Sequence, residues 1–180
     1  SACSRVIVLD SIYNEFVERL RGTAASLKIG MPDCPGTDVA AVIDETAFHN
    51  IKKYIEIGKK ESRLAHEADI GDVAGKGWFV GPVIFTDVLP ESIIAQEEIF
   101  GPVLAMIRAV NFKEAVQIAN NSVYRLTGGV YSRTDEHLDY ARKYFKAGNL
   151  YLNRSITGAI VGRQPFGGFG ASGSGPKAGG

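Results

Sequence analysis

Two stretches of the chain gather residue types that can do chemistry. The first runs Gln96-Glu97-Glu98-Ile99-Phe100-Gly101-Pro102-Val103. A carboxylate held at a corner accepts hydrogen bonds from a sugar diol, and an aromatic two positions on offers a flat face to a ring. The Gly101-Pro102 pair stops any helix and starts an extended segment. On residue types alone the favoured reading is a solvated acidic turn with one core phenylalanine, the commoner outcome. The second runs from Asn153 to Phe169 and reads N-R-S-I-T-G-A-I-V-G-R-Q-P-F-G-G-F. Its small residues let the backbone N–H groups of Gly158 and Ala159 approach a carboxylate. The plainer alternative is a surface loop whose glycines serve turns and whose Phe166 belongs to the core.

Other chemistry-bearing residues carry less. Cys3 and Cys34 are too few for a disulfide framework and lack zinc-ligand spacing. Cys3 near a strand start could be a thiolate nucleophile, but a small packed thiol is the favoured reading. His49, His66 and His137 are scattered singly, without the i, i+4 spacing of a metal pair. Glu97 and Glu98 are adjacent and cannot both face one cleft as a glycosidase pair must. Gly168-Phe169-Gly170-Ala171-Ser172-Gly173 matches the dinucleotide pattern G-x-G-x-x-G. That pattern needs a following helix and an acidic residue about twenty positions on, and the chain stops too soon, so a hinge-like loop is expected.

The stretch E-E-I-F-G-P-V resembles a signature of the aldehyde dehydrogenase superfamily. In that family the second glutamate binds the nicotinamide-side ribose of NAD and the phenylalanine packs near the nicotinamide; the matching residues are Glu98 and Phe100. The N-terminal Ser1-Ala2-Cys3-Ser4-Arg5 is similar to the segment after the family's nucleophile. Aligning on Ser4-Arg5 places the catalytic cysteine immediately before Ser1, and Cys3 three residues past it. The block P-F-G-G-F is widespread in the family, whereas N-R-x-x-T-G-A-I-V-G resembles the branch that oxidises L-glutamate γ-semialdehyde, the Δ1-pyrroline-5-carboxylate dehydrogenases. The resemblance implies that Ser1, Gly158 and Ala159 anchor the amino acid end of the substrate while Phe166 packs on its methylene chain. It implies NAD as cofactor, a cysteine thiolate attacking the aldehyde, and a glutamate-activated water releasing the acid. Those two groups and the main nucleotide-binding fold are expected upstream of Ser1, and the resemblance extends in order to shortly before the usual C-terminus.

The elements that must position these residues follow from patterning. Val6-Ile7-Val8-Leu9 is a short apolar run, as in a strand buried on both faces of a parallel sheet. Asp10 or Ser11 caps a helix with Ile12, Phe16, Val17 and Leu20 on one side, and Gly30 to Gly36 is a loop. Asp44 starts a second helix with Phe48, Ile51, Ile55 and Gly58 inward and Lys52, Lys53, Lys59 and Lys60 outward. Residues 63–68 read as a strand, 78–80 with 83–85 as a strand broken at Gly81-Pro82, and Pro90 as the start of a short helix. Residues 103–110, 128–132 and 149–153 read as strands, with helices over 112–121 and from Asp135 to Gly148. The alternation predicts an α/β fold with a parallel, Rossmann-like sheet and right-handed crossovers. Residues 1–154 form the catalytic α/β domain in this reading, and 155–180 the substrate-anchor loop and glycine-rich tail.

Twenty basic and twenty acidic residues cancel, so no global field attracts nucleic acid or an anionic membrane. No apolar run reaches the roughly eighteen residues of a membrane span. The N-terminus lacks a basic n-region and cleavage site. A cytoplasmic protein with a small-molecule substrate is expected, cut from a longer parent that the resemblance makes a homo-oligomer. The fragment alone should not turn over aldehyde. Two rivals stand beside this reading: an aldehyde dehydrogenase for another semialdehyde, and a non-catalytic α/β binding module.

Overall fold

A computed structural model of the chain describes residues 2–179; the substrate contact expected at Ser1 lies outside the described residues. The chain divides into two compact units, Ser4–Arg108 and, with the first three residues, Ala109–Gly180. In the first unit, β1 (Arg5–Leu9) runs directly into α1 (Asp10–Ala25). α2 (Glu45–Glu61), β2 (Arg63–Glu67), β3 (Val83–Thr86), the single-turn α3 (Ile93–Gln96) and β4 (Val103–Ala109) follow. The strands form one sheet in the order β1-β4-β3-β2. β3 and β4 pair in parallel, with Val83, Ile84 and Phe85 opposite Val103, Leu104 and Ala105.

The parallel expectation needs a correction at β2, which pairs antiparallel to β3. Only a 3-10 turn and loop separate β2 from β3, and without a crossover helix the chain returns beside its own strand in the opposite sense. Trp78–Val80 is also not a strand. Phe79 and Val80 are buried all the same, but Pro82 has no N–H to donate, and a Cβ on Gly81 would stand 2.5 Å from the Ala68 carbonyl oxygen.

α1 buries Val17 and Leu20 as expected, but Tyr13 and Ala24 face the core where Ile12 and Phe16 were expected. Tyr13, Val17 and Ala24 are buried with Leu20 against Val8, Ile84 and Met106, while Ile12 is 52% exposed. The reason is the Tyr13 hydroxyl, which donates to the Met106 carbonyl (3.3 Å) and accepts from the Asp87 N–H (2.9 Å). With both polar needs met, the large ring can be buried. Asp10 is the first helical residue rather than the cap; it suits the positive helix end and pairs with Arg108 at 2.6 Å. The Arg108 guanidinium lies 3.9 Å over the Tyr13 ring. α2 begins as expected, with the Asp44 carboxylate accepting from the Ala47 N–H at 2.7 Å. Ile51, Ile55 and Gly58 are buried along it, and a Cβ at Gly58 would meet the Phe85 ring at 2.6 Å.

The second unit contains α4 (Phe112–Asn120), β5 (Tyr124–Arg125), β6 (Thr127–Val130), α5 (Asp135–Tyr144), β7 (Asn149–Leu152) and β8 (Phe169–Gly170). β6 and β7 pair in parallel across α5, as expected of a β-α-β unit. Thr134 rather than Asp135 stands at the α5 N-cap. β5 and β8 pair antiparallel. β8 lies inside the G-x-G-x-x-G match, and among the described residues no helix follows it.

Candidate functional site

Glu98 and Phe100 sit on the segment that joins α3 to β4. Residues on either side of each are attached to the first unit. The Glu97 carboxylate accepts from the Tyr54 hydroxyl on α2 at 2.6 Å. Ile99 is buried, at 7% exposure. A Cβ on Gly101 would lie 2.6 Å from the Ile51 side chain, so glycine alone lets the corner close on α2. The intervening residues face outward: Glu98 is exposed and no described residue pairs with it, and Phe100 is 85% exposed.

Phe100 has φ +58°, in the left-handed region where a Cβ costs about 1–2 kcal/mol. An aromatic residue held there and left in solvent is a feature the fold must impose, and such features concentrate at functional positions. The reading of Phe100 as a core residue therefore fails, because the core residue of this stretch is Ile99. A carboxylate with open acceptor positions and an exposed ring two residues on fit a ribose diol beside a planar heterocycle.

Gly158, Ala159 and Phe166 belong to the second unit. The loop that carries them leaves β7 at Asn153, which has φ +54°. The Asn153 amide clasps Ser132, accepting from its N–H at 2.8 Å and donating to its carbonyl at 2.9 Å. Arg154 turns back over the Tyr151 ring at 5.3 Å. The Ser155 hydroxyl accepts from the Thr157 N–H at 3.3 Å, which tightens the turn into Gly158. Gly158 has φ +82°, and no heavy atom lies within 4 Å of where its Cβ would be. It is glycine for its backbone and not for lack of space. Ala159 is half-buried, and no described residue accepts from the N–H of Gly158 or Ala159. Two adjacent unused donors beside small side chains suit a carboxylate.

Phe166 is half-buried and exchanges backbone hydrogen bonds with Ala178 at 2.9 and 3.1 Å. Asn149 of β7 holds its neighbours, donating to the Pro165 carbonyl at 2.8 Å and accepting from the Gly167 N–H at 3.3 Å. Gln164 donates to the Tyr151 hydroxyl at 3.2 Å. Gly148 lets this loop dock, since a Cβ there would be 2.0 Å from the Gly167 oxygen. Tyr54, Asn149 and Asn153 had no assigned role in the sequence reading. Asn153 alone left a signal, an amide side chain just past a strand and ahead of a turn, where asparagine tolerates the left-handed region. Cys3 and Cys34 are exposed, and among the described residues no group of three His, Cys, Asp or Glu could hold a metal. No helix among them is long and apolar enough to cross a membrane.

Comparison with known proteins extends these observations. A 1-pyrroline-5-carboxylate dehydrogenase of Geobacillus sp. (strain WCH70) is 49% identical over 180 residues, all of this chain and 35% of its own. A crystal structure of proline utilization A from Bdellovibrio bacteriovorus, inactivated by N-propargylglycine, superposes with a TM-score of 0.96 at 46% identity. It covers 100% of this chain and 18% of that one. A 1-pyrroline-5-carboxylate dehydrogenase from Thermus with bound NAD gives a TM-score of 0.92 at 46% identity, over 100% of this chain and 34% of that one. The chain thus spans about a third of the length of the curated relatives it matches. The model of the aldehyde dehydrogenase family matches residues 1–180, and the chain belongs to that family.

Proposed function

We propose that the chain is part of an NAD-dependent enzyme that oxidises L-glutamate γ-semialdehyde, formed from Δ1-pyrroline-5-carboxylate, to L-glutamate in proline degradation. The observation that carries the reading is the match over the whole chain, 49% identical to a 1-pyrroline-5-carboxylate dehydrogenase. A relative superposing at a TM-score of 0.92 has bound NAD. Glu98 accepts from the nicotinamide-side ribose hydroxyls, and Phe100 supplies a flat apolar wall beside the nicotinamide. When bound, the dinucleotide accepts the hydride.

Gly158 and Ala159 donate their backbone N–H groups to the substrate α-carboxylate, Ser1 adds a hydroxyl, and Phe166 covers the methylene chain and keeps water from it. The thiol nucleophile immediately precedes Ser1, so Cys3 is not catalytic and the 180 residues alone do not turn over aldehyde. The parent is a homo-oligomer of the cytoplasm, without nucleic acid as a partner.

The test is Ala159→Val in the full-length enzyme. The added methyls crowd the anchoring backbone, and a lost hydrogen bond to a charged group raises KM for glutamate semialdehyde about tenfold. An uncharged aldehyde of similar length should be unaffected. Equal effects on both aldehydes would sink the anchor. Faster turnover of succinate semialdehyde or betaine aldehyde by the wild-type enzyme would instead move the substrate elsewhere in the family.

A further inference from the structure

α2 lies along the segment that carries Glu98 and Phe100, and it attaches to that segment or its leading strand at successive turns. Ile51 packs against Gly101, Tyr54 hydrogen-bonds Glu97, Gly58 seats Phe85, and Glu61 accepts the Ile93 N–H at 3.0 Å. Positions 51, 54, 58 and 61 recur at three- and four-residue spacing, one stripe of a helix. Glu61 does for α3 what its own N-cap does not, because Ser92 makes no side-chain cap bond. Three of these attachments are packing or a cap at the start of α3. The Tyr54–Glu97 bond, 2.6 Å between residues 43 apart, is the polar tie that acts next to Glu98 itself.

We infer that Tyr54 is a positioning residue for the cofactor side of the site. Its hydroxyl takes up the first carboxylate of the Glu97-Glu98 pair, so that of these two exposed acids only the second is left without a partner among the described residues. The physical need is clear from the pair itself. Two adjacent carboxylates repel, and a corner with two equivalent free acids could present either one. Donation from Tyr54 gives Glu97 a fixed partner and breaks that equivalence. With Ile99 buried and Gly101 against Ile51, the chain then leaves Glu98 and Phe100 on the open side. The inference rests on the proposed NAD-binding role of Glu98 and Phe100 and goes beyond it, since Tyr54 would touch no part of the cofactor.

The experiment uses the full-length enzyme with Tyr54→Phe, Glu97→Gln, the double variant, and Glu98→Ala as a control. Kd for NAD and the KM of NAD and of the aldehyde are measured for each. Tyr54→Phe keeps the ring and removes only the hydroxyl, so the expected result is a Kd and KM for NAD raised about three- to tenfold. Aldehyde KM and the thermal midpoint should be nearly unchanged. The double variant should be no worse for NAD than the worse single one, because both remove the same bond. An NAD Kd within 1.5-fold of wild type, or equal rises in both KM values, would overturn the positioning role while Glu98→Ala still weakens NAD. If Glu98→Ala also leaves NAD binding intact, the cofactor assignment itself fails.

Discussion

Phe100→Gly in the full-length enzyme should cost little stability while weakening NAD. The side chain is 85% exposed, so of the roughly 200 Å² an aromatic carries it buries about 30 Å². At about 25 cal/mol per Å² that contact contributes under ~1 kcal/mol. Against this, φ +58° holds any residue with a Cβ at a cost of about 1–2 kcal/mol, which glycine does not incur. Glycine's extra freedom in the unfolded chain returns about 0.5–1 kcal/mol of that gain. The three contributions nearly cancel for glycine.

Phe100→Ala loses the same contact and keeps the strain. Glycine should therefore be the more stable of the two variants by about 0.5–1 kcal/mol, the reverse of the usual order in regular structure. Parallel thermal melts give the order, and calorimetric NAD titrations should show both variants weakened alike. An alanine variant that melts at or above the glycine variant would refute the strain argument. Unchanged NAD affinity in both would refute the role of the ring.

Two further outcomes follow from the packing and the titrating groups. Gly148→Ala sets a Cβ 2.0 Å from the Gly167 oxygen, backbone against backbone, and should destabilise by about 1–3 kcal/mol. By displacing the loop that bears Phe166 it should raise the aldehyde KM and leave NAD Kd unchanged, as steady-state kinetics would show. Stability should also fall at high pH. Burial raises the Tyr13 phenol above its ordinary value of 10.0, and the hydrogen bonds that Lys59 donates to Glu67 and then Glu56 raise it above 10.5. Both are raised in the folded state, so their stabilisation is fully present below the unfolded pKa and is lost as pH climbs through the folded value. Melting midpoints should decline from about pH 10 upward, and Tyr13→Phe should flatten part of the decline.

Much of the candidate site was proposed from the residues because its signals are local. Asp44 capping α2, the run Val6 to Leu9, and the Gly101-Pro102 break each depend on neighbours a few positions away. The motif that carries Glu98 and Phe100 is contiguous, as is the small-residue loop at Gly158 and Ala159, so both could be singled out without a fold. What the residues left open was orientation. Ile12 and Phe16 fit a helical stripe as well as Tyr13 does until the hydroxyl of Tyr13 finds Asp87 and Met106, 74 and 93 positions away. Trp78 to Val80 has strand composition but no ladder to join.

By itself, then, the amino-acid sequence determined the α/β alternation and the family, and singled out the two candidate stretches, since periodicity, turn residues and contiguous motifs are properties of short segments. Tertiary structure decided that β2 runs antiparallel, that Ile99 and not Phe100 enters the core, and that Tyr54 takes Glu97. Those outcomes turn on which distant backbone or side-chain group satisfies a hydroxyl, a carboxylate or a close approach. Such partners exist only once the chain has folded.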